Sequence, residues 1–226
     1  MTDNTVNPDI DPDLATRRLA NQSVHDDDPT GWFERLYAAA DEGLAVVPWD
    51  RGTAHGLLTE WVDTAQPDGT GRRAIVVGAG TGWDAELVAN LGYRTIAFDI
   101  SPSAVEAARR THPGSEVEYV TADLLDPPAE WNRAFELVVE IYTVQALPAP
   151  LQETATKQIS ELVGPGGTLV VIAMVRQDGQ SVEGPPWPLS KSAMQAFATD
   201  GLQLIQLDHL TTTPTPHWRA EYLRTA

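Results

Sequence analysis

The stretch from residue 73 to residue 100 limits the fold of this chain most strongly. Residues 74–77 form a short apolar run, which is typical of a strand buried on both faces of a sheet. Three glycines follow at every second position, and glycine lacks a Cβ and adopts positive φ readily. We therefore expect a tight turn along which a ligand can lie close to the backbone, formed by Gly78, Gly80 and Gly82.

A helix and a second strand complete this unit. Residues 83–91 carry apolar side chains at about helical spacing and end before Gly92, a suitable residue to follow a helix. Residues 95–98 are a second apolar run, which ends in Asp99. The order of strand, glycine turn, helix, strand and acid corresponds to half of a nucleotide-binding α/β fold.

The spacing of the glycines bears on which nucleotide such a turn would hold. A dinucleotide-binding turn needs a small residue where this chain has Trp83, which argues against an NAD-dependent oxidoreductase. The glycines instead follow the pattern G-x-G-x-G, and Asp99 lies 21 residues beyond Gly78. This pattern resembles the first motif of the class I S-adenosylmethionine (SAM) methyltransferases. The alternative is a tight turn that binds no ligand.

Charge and composition exclude several classes of partner. The net charge of −17 opposes binding to nucleic acid or to an anionic membrane surface, because both carry negative charge. There are no cysteines, so disulfides, thiolate metal sites and a cysteine nucleophile are excluded. The first residues are polar and acidic, and no long apolar segment follows. We expect a cytoplasmic protein without a metal site.

The remaining pattern predicts a single α/β domain with a doubly wound, Rossmann-like, seven-stranded sheet and an N-terminal helical lid. We expect an acidic, partly disordered arm over residues 1–30, the lid over residues 31–72, and the SAM-binding core over residues 73–226. The later strands are predicted at residues 117–120, 135–142, 168–175, 202–210 and 216–224. The last strand is expected to be antiparallel and inserted beside the fifth. Residues 164–167 are expected to form a turn before the fifth strand, and Ser190 is expected to cap a helix that ends near Asp200.

The N-terminal region carries aromatic residues whose spacing indicates one face of a helix. Ordinary packing against the core is one explanation for them. However, Gly31-Trp32, then the run 48–52 (Pro-Trp-Asp-Arg-Gly), and then the glycine turn together resemble the thiol, halide and thiopurine methyltransferase group. This resemblance implies that aromatic side chains close over SAM and substrate, at Trp32, Tyr37 and Trp49.

The resemblance also implies roles for residues at the strand ends. Asp99 and Ile100 would hold the ribose, Asp123 would accept a hydrogen bond from the adenine amino group, and the backbone N–H of Leu124 would reach the ring. The alternative for Asp123 is a turn residue or a helix N-cap. Open α/β sheets bind ligands at the carboxyl ends of their strands, so Glu140 and Ile141, at the end of the fourth strand, are expected to lie beside the transferring methyl group.

Methyl transfer from a sulfonium is an in-line displacement, so the protein mainly aligns the reactants and excludes water. Whether a general base is needed depends on the acceptor, since a thiol or halide needs little help. Candidate bases are Glu140, His55 and His217, with Tyr142 as a positioning group. Each of these residues has a structural role as its alternative.

We therefore predict a SAM-dependent methyltransferase that acts on a small-molecule nucleophile (a thiol, a thiopurine-like ring or another heteroaromatic acceptor) and releases S-adenosylhomocysteine (SAH). One alternative is an O- or N-methyltransferase of a secondary-metabolite pathway. Another is a non-catalytic regulatory protein that binds SAM or SAH. The expected partner is a small-molecule substrate, with no nucleic acid and no membrane, and the expected state is a monomer or a weak homodimer.

Overall fold

The computed structural model describes residues 16, 18–20, 22–23, 28–182, 184–211 and 214–225. Most of the predicted acidic arm lies outside these residues. Seven strands form one sheet: β1 (Arg73–Val77), β2 (Arg94–Asp99), β3 (Glu118–Thr121), β4 (Phe135–Ile141), β5 (Val163–Met174), β6 (Leu202–Leu210) and β7 (His217–Arg224). Their spatial order is β3-β2-β1-β4-β5-β7-β6.

The pairing of the strands confirms the predicted doubly wound, Rossmann-like sheet. β1 pairs in parallel with β2 and with β4, and the pairs β2–β3 and β4–β5 are also parallel. β7 is antiparallel to both of its neighbours, β5 and β6. The insertion of the last strand beside the fifth is therefore as the sequence predicts.

From residue 28 onward, the α-helices of the described residues are α1 (Gly31–Asp41), α2 (Gly56–Ala65), α3 (Trp83–Asn90), α4 (Pro102–Thr111), α5 (Ala149–Leu162) and α6 (Lys191–Gln195). Two 3₁₀ turns, Ala129–Trp131 and Val144–Ala146, follow β3 and β4. At α4 the Ser101 side chain accepts the Ala104 N–H and Pro102 begins the helix. No helix among the described residues is long and apolar enough to cross a membrane.

Both faces of the sheet are covered, which explains the continuous apolar run of β1. Because successive side chains of a strand point to opposite faces, Ile75 and Val77 belong to one core layer with Val138 of β4. Ala74 and Val76 belong to the other layer. A strand buried in this way has no polar face to alternate with its apolar one.

Two predicted boundaries are wrong. The glycine-rich segment expected as a turn before the fifth strand lies within β5, where the β4–β5 register shifts between Phe135 and Leu137. A Cβ at Gly167 would lie 2.7 Å from the Phe135 carbonyl oxygen, so this close approach of two strands requires glycine. The helix capped by Ser190 ends at Gln195 instead of near Asp200, and the Phe197 side chain is buried in the core.

The strand order creates a crevice above β1. The strand that follows β1 in the chain, β2, lies on one side of it, and β4 lies on the other, so the strand order reverses at β1. Ligands of open α/β sheets bind at the carboxyl ends of the strands at such a switch point. The antiparallel β7 begins at this same edge, because its first residue, His217, pairs with Met174 at the end of β5.

Candidate active site

A cavity of about 500 Å³ lies at the carboxyl ends of the strands. Sites for small molecules and cofactors usually enclose about 300–1,000 Å³. Most of the predicted site residues line it: Trp32, Tyr37, Trp49, His55, Gly78, Gly80, Asp99, Ile100, Asp123, Leu124, Ile141, Tyr142 and His217. Gly82 and Glu140 are the two predicted site residues that do not line this cavity.

The glycine turn and the acid of β2 are joined directly. The Gly80 N–H donates to Asp99 Oδ2 at 3.0 Å, and the Ser101 N–H donates to Asp99 Oδ1 at 3.0 Å. Only 7% of Asp99 is exposed, and this burial raises the pKa of its carboxyl despite the backbone donors. The turn thus holds a fixed carboxylate at the edge of the cavity.

The glycines of the turn serve different purposes. Gly80 has a φ of +53°, and a Cβ there would lie 2.7 Å from the Tyr37 hydroxyl. Gly82 has a φ of +90°, and a Cβ there would lie 2.5 Å from the hydroxyl of Tyr119 on β3. Gly80 therefore leaves room on the cavity side, whereas Gly82 allows the turn to pack against the sheet.

The aromatic residues of the N-terminal region form a group over the turn. Trp49 Nε1 donates to the Tyr37 hydroxyl at 2.8 Å, and the rings of Trp32 and Trp49 meet edge to face with centroids 6.0 Å apart. Trp32 is 0% exposed, and its Nε1 has no hydrogen-bond partner among the described residues. A buried N–H without a partner is costly, so the packing of this aromatic group has to offset that cost.

The side chain of Glu34, which sequence reasoning missed, joins helix α1 to the start of α4. Its carboxylate accepts hydrogen bonds from the Ser101 hydroxyl at 2.7 Å, the Ser103 hydroxyl at 2.7 Å and the Ser103 N–H at 3.1 Å. These groups lie at the start of α4, directly after Asp99. An acid in the first turn of a helix is usually explained by the helix dipole, so the sequence carried no signal for this long-range contact.

Asp123 follows β3 and takes the turn role that the sequence left open. Its Oδ1 accepts the Leu125 N–H at 2.8 Å, which is an Asx turn. Both Asp123 and Leu124 line the cavity. Contact with adenine stays a prediction for these two residues.

Glu140 does not line the cavity that the other candidate bases border. Its side chain points to the same face of β4 as Val138, into a core layer, and is 0% exposed. Oε1 accepts the N–H groups of Thr143 and Val144 at 2.8 and 3.0 Å, while Oε2 has no partner among the described residues. Burial raises the pKa of this carboxyl to about 7. These contacts indicate that Glu140 stabilises the turn after β4 and is not a general base.

The other candidates, His55, Tyr142 and His217, meet in one cluster. The Tyr142 hydroxyl lies 2.9 Å from His55 Nε2 and 2.6 Å from His217 Nε2. His55 precedes α2 and its Nδ1 accepts the Leu57 N–H at 3.2 Å. Tyr142 has a φ of +65°, which is uncommon for an aromatic residue and costs about 1–3 kcal/mol. Three segments far apart in the sequence thus supply a hydrogen-bonded chain.

The electrostatics of this cluster keep both imidazoles neutral. Burial, the charge of Arg51 and the neighbouring His217 lower the pKa of His55 to about 4. Burial also lowers the pKa of His217, with a hydrogen bond to the Thr215 backbone acting against it. Burial raises the pKa of Tyr142, and Arg51 opposes this effect. Within the described part of the chain, no group of three or more His, Cys, Asp or Glu side chains could hold a metal ion.

Comparisons with known proteins agree with this geometry. Residues 74–167 match a family model described as a methyltransferase domain. Thiocyanate methyltransferase 1 of Brassica oleracea is 28% identical over 153 residues, which is 66% of each chain, so the match spans just under two thirds of that relative. A probable thiol methyltransferase 2 of Arabidopsis thaliana is 28% identical over 184 residues, covering 79% of this chain and 75% of the relative.

Among solved structures, the N-methyltransferase NodS of Bradyrhizobium japonicum WM9, in complex with SAH, superposes with a TM-score of 0.61. Its sequence identity is 15%, and the match covers 94% of this chain and 100% of that chain. At this identity the likeness concerns the fold. The expected class I methyltransferase fold, and the resemblance to the thiol methyltransferase group, are confirmed.

Proposed function

We propose that this protein, whose residues 74–167 form a class I SAM-dependent methyltransferase domain, methylates a small-molecule nucleophile. The preferred acceptors are a thiol, a thiopurine-like ring or another heteroaromatic compound. One observation carries this proposal: the glycine turn, the fixed Asp99 carboxylate and Trp32 all border a single cavity. The similarity to proteins named as thiocyanate and thiol methyltransferases supports the choice of a soft acceptor.

The residues present suit SAM. Gly78 and Gly80 line the cavity and would lie along the methionine portion, and Asp99 with Ile100 would bind the ribose hydroxyls at the end of β2. Asp123 and Leu124 would bind adenine at the end of β3, and Trp32 would border the cofactor on the lid side. When bound, SAM supplies a methyl group on a sulfonium, which is already activated for transfer.

The chain's own contribution is alignment and exclusion of water. The rings of Trp32, Tyr37 and Trp49 border the cavity, and aromatic faces attract a cation by about 0.5–2 kcal/mol. Glu34 ties α1 to the start of α4, which keeps these rings close to the turn. Holding two reactants in line can contribute about 7–11 kcal/mol in well-oriented models. We infer that the N-terminal helix acts as a lid over both ligands.

Binding of SAH measured by titration calorimetry tests the cofactor site. Asp99→Asn should weaken SAH binding about 10- to 100-fold, since a hydrogen bond to a charged group contributes about 1.5–3 kcal/mol. Asp126→Asn is the matched control, because Asp126 is exposed and does not line the cavity. Equal affinity in both variants would contradict the role of Asp99, and no SAH binding by the unaltered protein would refute the proposal.

An acceptor panel then tests the activity. The protein is incubated with SAM and 2-phenylethanethiol, thiocyanate, 4-methylphenol or imidazole, and SAH formation is measured. We expect turnover with the thiol. If SAH binds tightly but no acceptor supports its formation, the protein is better described as a regulatory SAM-binding protein.

A further inference from the structure

We propose that Tyr142 and His217, which line the cavity, form a path that takes a proton from the methyl acceptor. The part of the cavity that these two residues and His55 line is called the acceptor half below. On this proposal, the substrate of this site carries an S–H or O–H hydrogen that the protein removes. This proposal rests on the proposed function and narrows it. It separates proton-bearing thiols and hydroxyl compounds from acceptors that are already anions, such as thiocyanate or a halide, for which no proton path is needed.

The hydrogen-bond partners fix the direction of the chain. His55 Nδ1 accepts the Leu57 N–H, so the neutral ring carries its proton on Nε2 and donates it to the Tyr142 oxygen. The single hydroxyl hydrogen of Tyr142 is then available to His217 Nε2, 2.6 Å away. His217 must therefore present a bare Nε2, with its own proton on Nδ1, where the Thr215 backbone is its partner.

This arrangement leaves one group ready to receive a proton. His55 is committed as a donor by a backbone N–H, whereas His217 Nε2 holds a lone pair directed at the Tyr142 hydroxyl. The charges that act on Tyr142 come from Arg51 in the loop before α2, Asp84 on α3 and Glu140 on β4. Arg51 stabilises negative charge on the Tyr142 oxygen and disfavours a second proton on either ring.

In the proposed transfer, each bond that forms is matched by one that breaks. The sulfur or oxygen of the acceptor bonds to the methyl carbon while the carbon–sulfur bond of the sulfonium breaks, and its electron pair stays on the cofactor sulfur. The proton of the acceptor passes to the Tyr142 oxygen as the Tyr142 hydroxyl proton passes to His217 Nε2. His217 becomes an imidazolium, so its positive charge replaces the positive charge that the sulfonium loses. Tyr142 touches the acceptor, and His217 acts through it.

Two acceptors distinguish this path from a purely structural network. 2-Phenylethanethiol is mostly protonated at pH 7.5, whereas thiocyanate has no proton to lose. General-base assistance is worth about 10²- to 10⁴-fold, so Tyr142→Phe and His217→Gln should lower kcat with the thiol by that factor. With thiocyanate, kcat should fall by a much smaller factor than with the thiol. His209→Gln is the control, because exposed His209 lies on β6 next to the residue that pairs with His217.

The pH profile supplies a second readout. With the thiol, kcat should fall below the pKa of His217, which lies below 6.5, and this acid limb should vanish in His217→Gln. Nitrogen-15 NMR of the ligand-free protein should show the proton of His55 on Nε2 and that of His217 on Nδ1. The opposite tautomers would overturn the direction of the path.

The possible outcomes distinguish failure of the proton path from failure of the proposed methyltransferase function. SAH affinity is measured for every variant, and it should match that of the unaltered protein. If the variants lose thiol and thiocyanate turnover equally, or if the protein methylates thiocyanate but no thiol or phenol, the proton path is refuted while methyl transfer stands. If SAH does not bind at all, the proposed function itself fails.

Discussion

The buried carboxyl of Glu140 makes the stability of this protein depend on pH in a defined window. In the folded state burial raises its pKa from 4.5 to about 7, so the folded state binds this proton more tightly than the unfolded state. Its destabilising contribution is therefore absent below pH 4.5, grows as the pH rises, and is complete above pH 7. Since each pH unit between two pKa values is worth about 1.4 kcal/mol, the full contribution is about 3 kcal/mol.

Glu140→Gln removes this titration and keeps the local contacts. The amide oxygen can still accept the N–H groups of Thr143 and Val144, and the amide nitrogen replaces the oxygen that has no partner among the described residues. Relative to the unaltered protein, the variant should gain about 2–3 kcal/mol of unfolding free energy on going from pH 5 to pH 8. Other titrating groups, including Asp99, are present in both proteins and cancel in this difference.

Urea unfolding at the two pH values measures the effect. Glu118→Gln is the control, because Glu118 is an exposed glutamate on β3, and its difference from the unaltered protein should be the same at both pH values. A Glu140→Gln difference that does not change with pH would refute the reasoning. Turnover of the variant should stay within about threefold of the original, which separates a turn-holding residue from a general base.

Three further variants test the N-terminal region and the turn. Trp49→Ala should lower turnover more than it lowers the melting temperature; a large loss of melting temperature with normal specific activity would identify a core residue. Gly80→Ala should weaken SAH binding at least tenfold, since its Cβ would lie 2.7 Å from the Tyr37 hydroxyl, and adding Tyr37→Phe should recover part of the affinity in calorimetry. Glu34→Ala should cost about 1–3 kcal/mol of unfolding free energy by urea titration, because two serines lose a charged acceptor; an unchanged value would show that the other contacts of α1 are sufficient to hold it.

The cofactor half of the site could be predicted from the sequence because its signals are local. Gly78, Gly80 and Asp99 lie within one strand–turn–helix–strand unit, where backbone geometry dictates both the glycines and the position of the acid. Each element of that unit also has a marked period or a terminating residue. The same local rules failed inside β5, where the need for glycine comes from a neighbouring strand.

The acceptor half could not be assembled in this way. His55, Tyr142 and His217 are separated by 87 and 75 residues, and only the insertion of β7 beside β5 brings them together. Glu140 lies only two residues before Tyr142, but its side chain is buried in the core. Tyr142 lies just past the end of β4 and has a φ of +65°, so strand alternation does not set the direction of its side chain. Glu34 gave no signal either, since its serine partners lie 67 and 69 residues away.

The two halves of the cavity are encoded in different ways, and this affects how such a protein can diversify. The groups that would bind the methionine portion and the ribose occupy one contiguous stretch from β1 to the end of β2, whereas the groups of the Tyr142 cluster come from a loop, a strand end and the last strand of the sheet. Exchanging Arg51, His55 or His217 would leave the glycine turn and its carboxylate intact. Related proteins could therefore change the acceptor they methylate through substitutions at separate positions, while the site for the methyl donor stays the same.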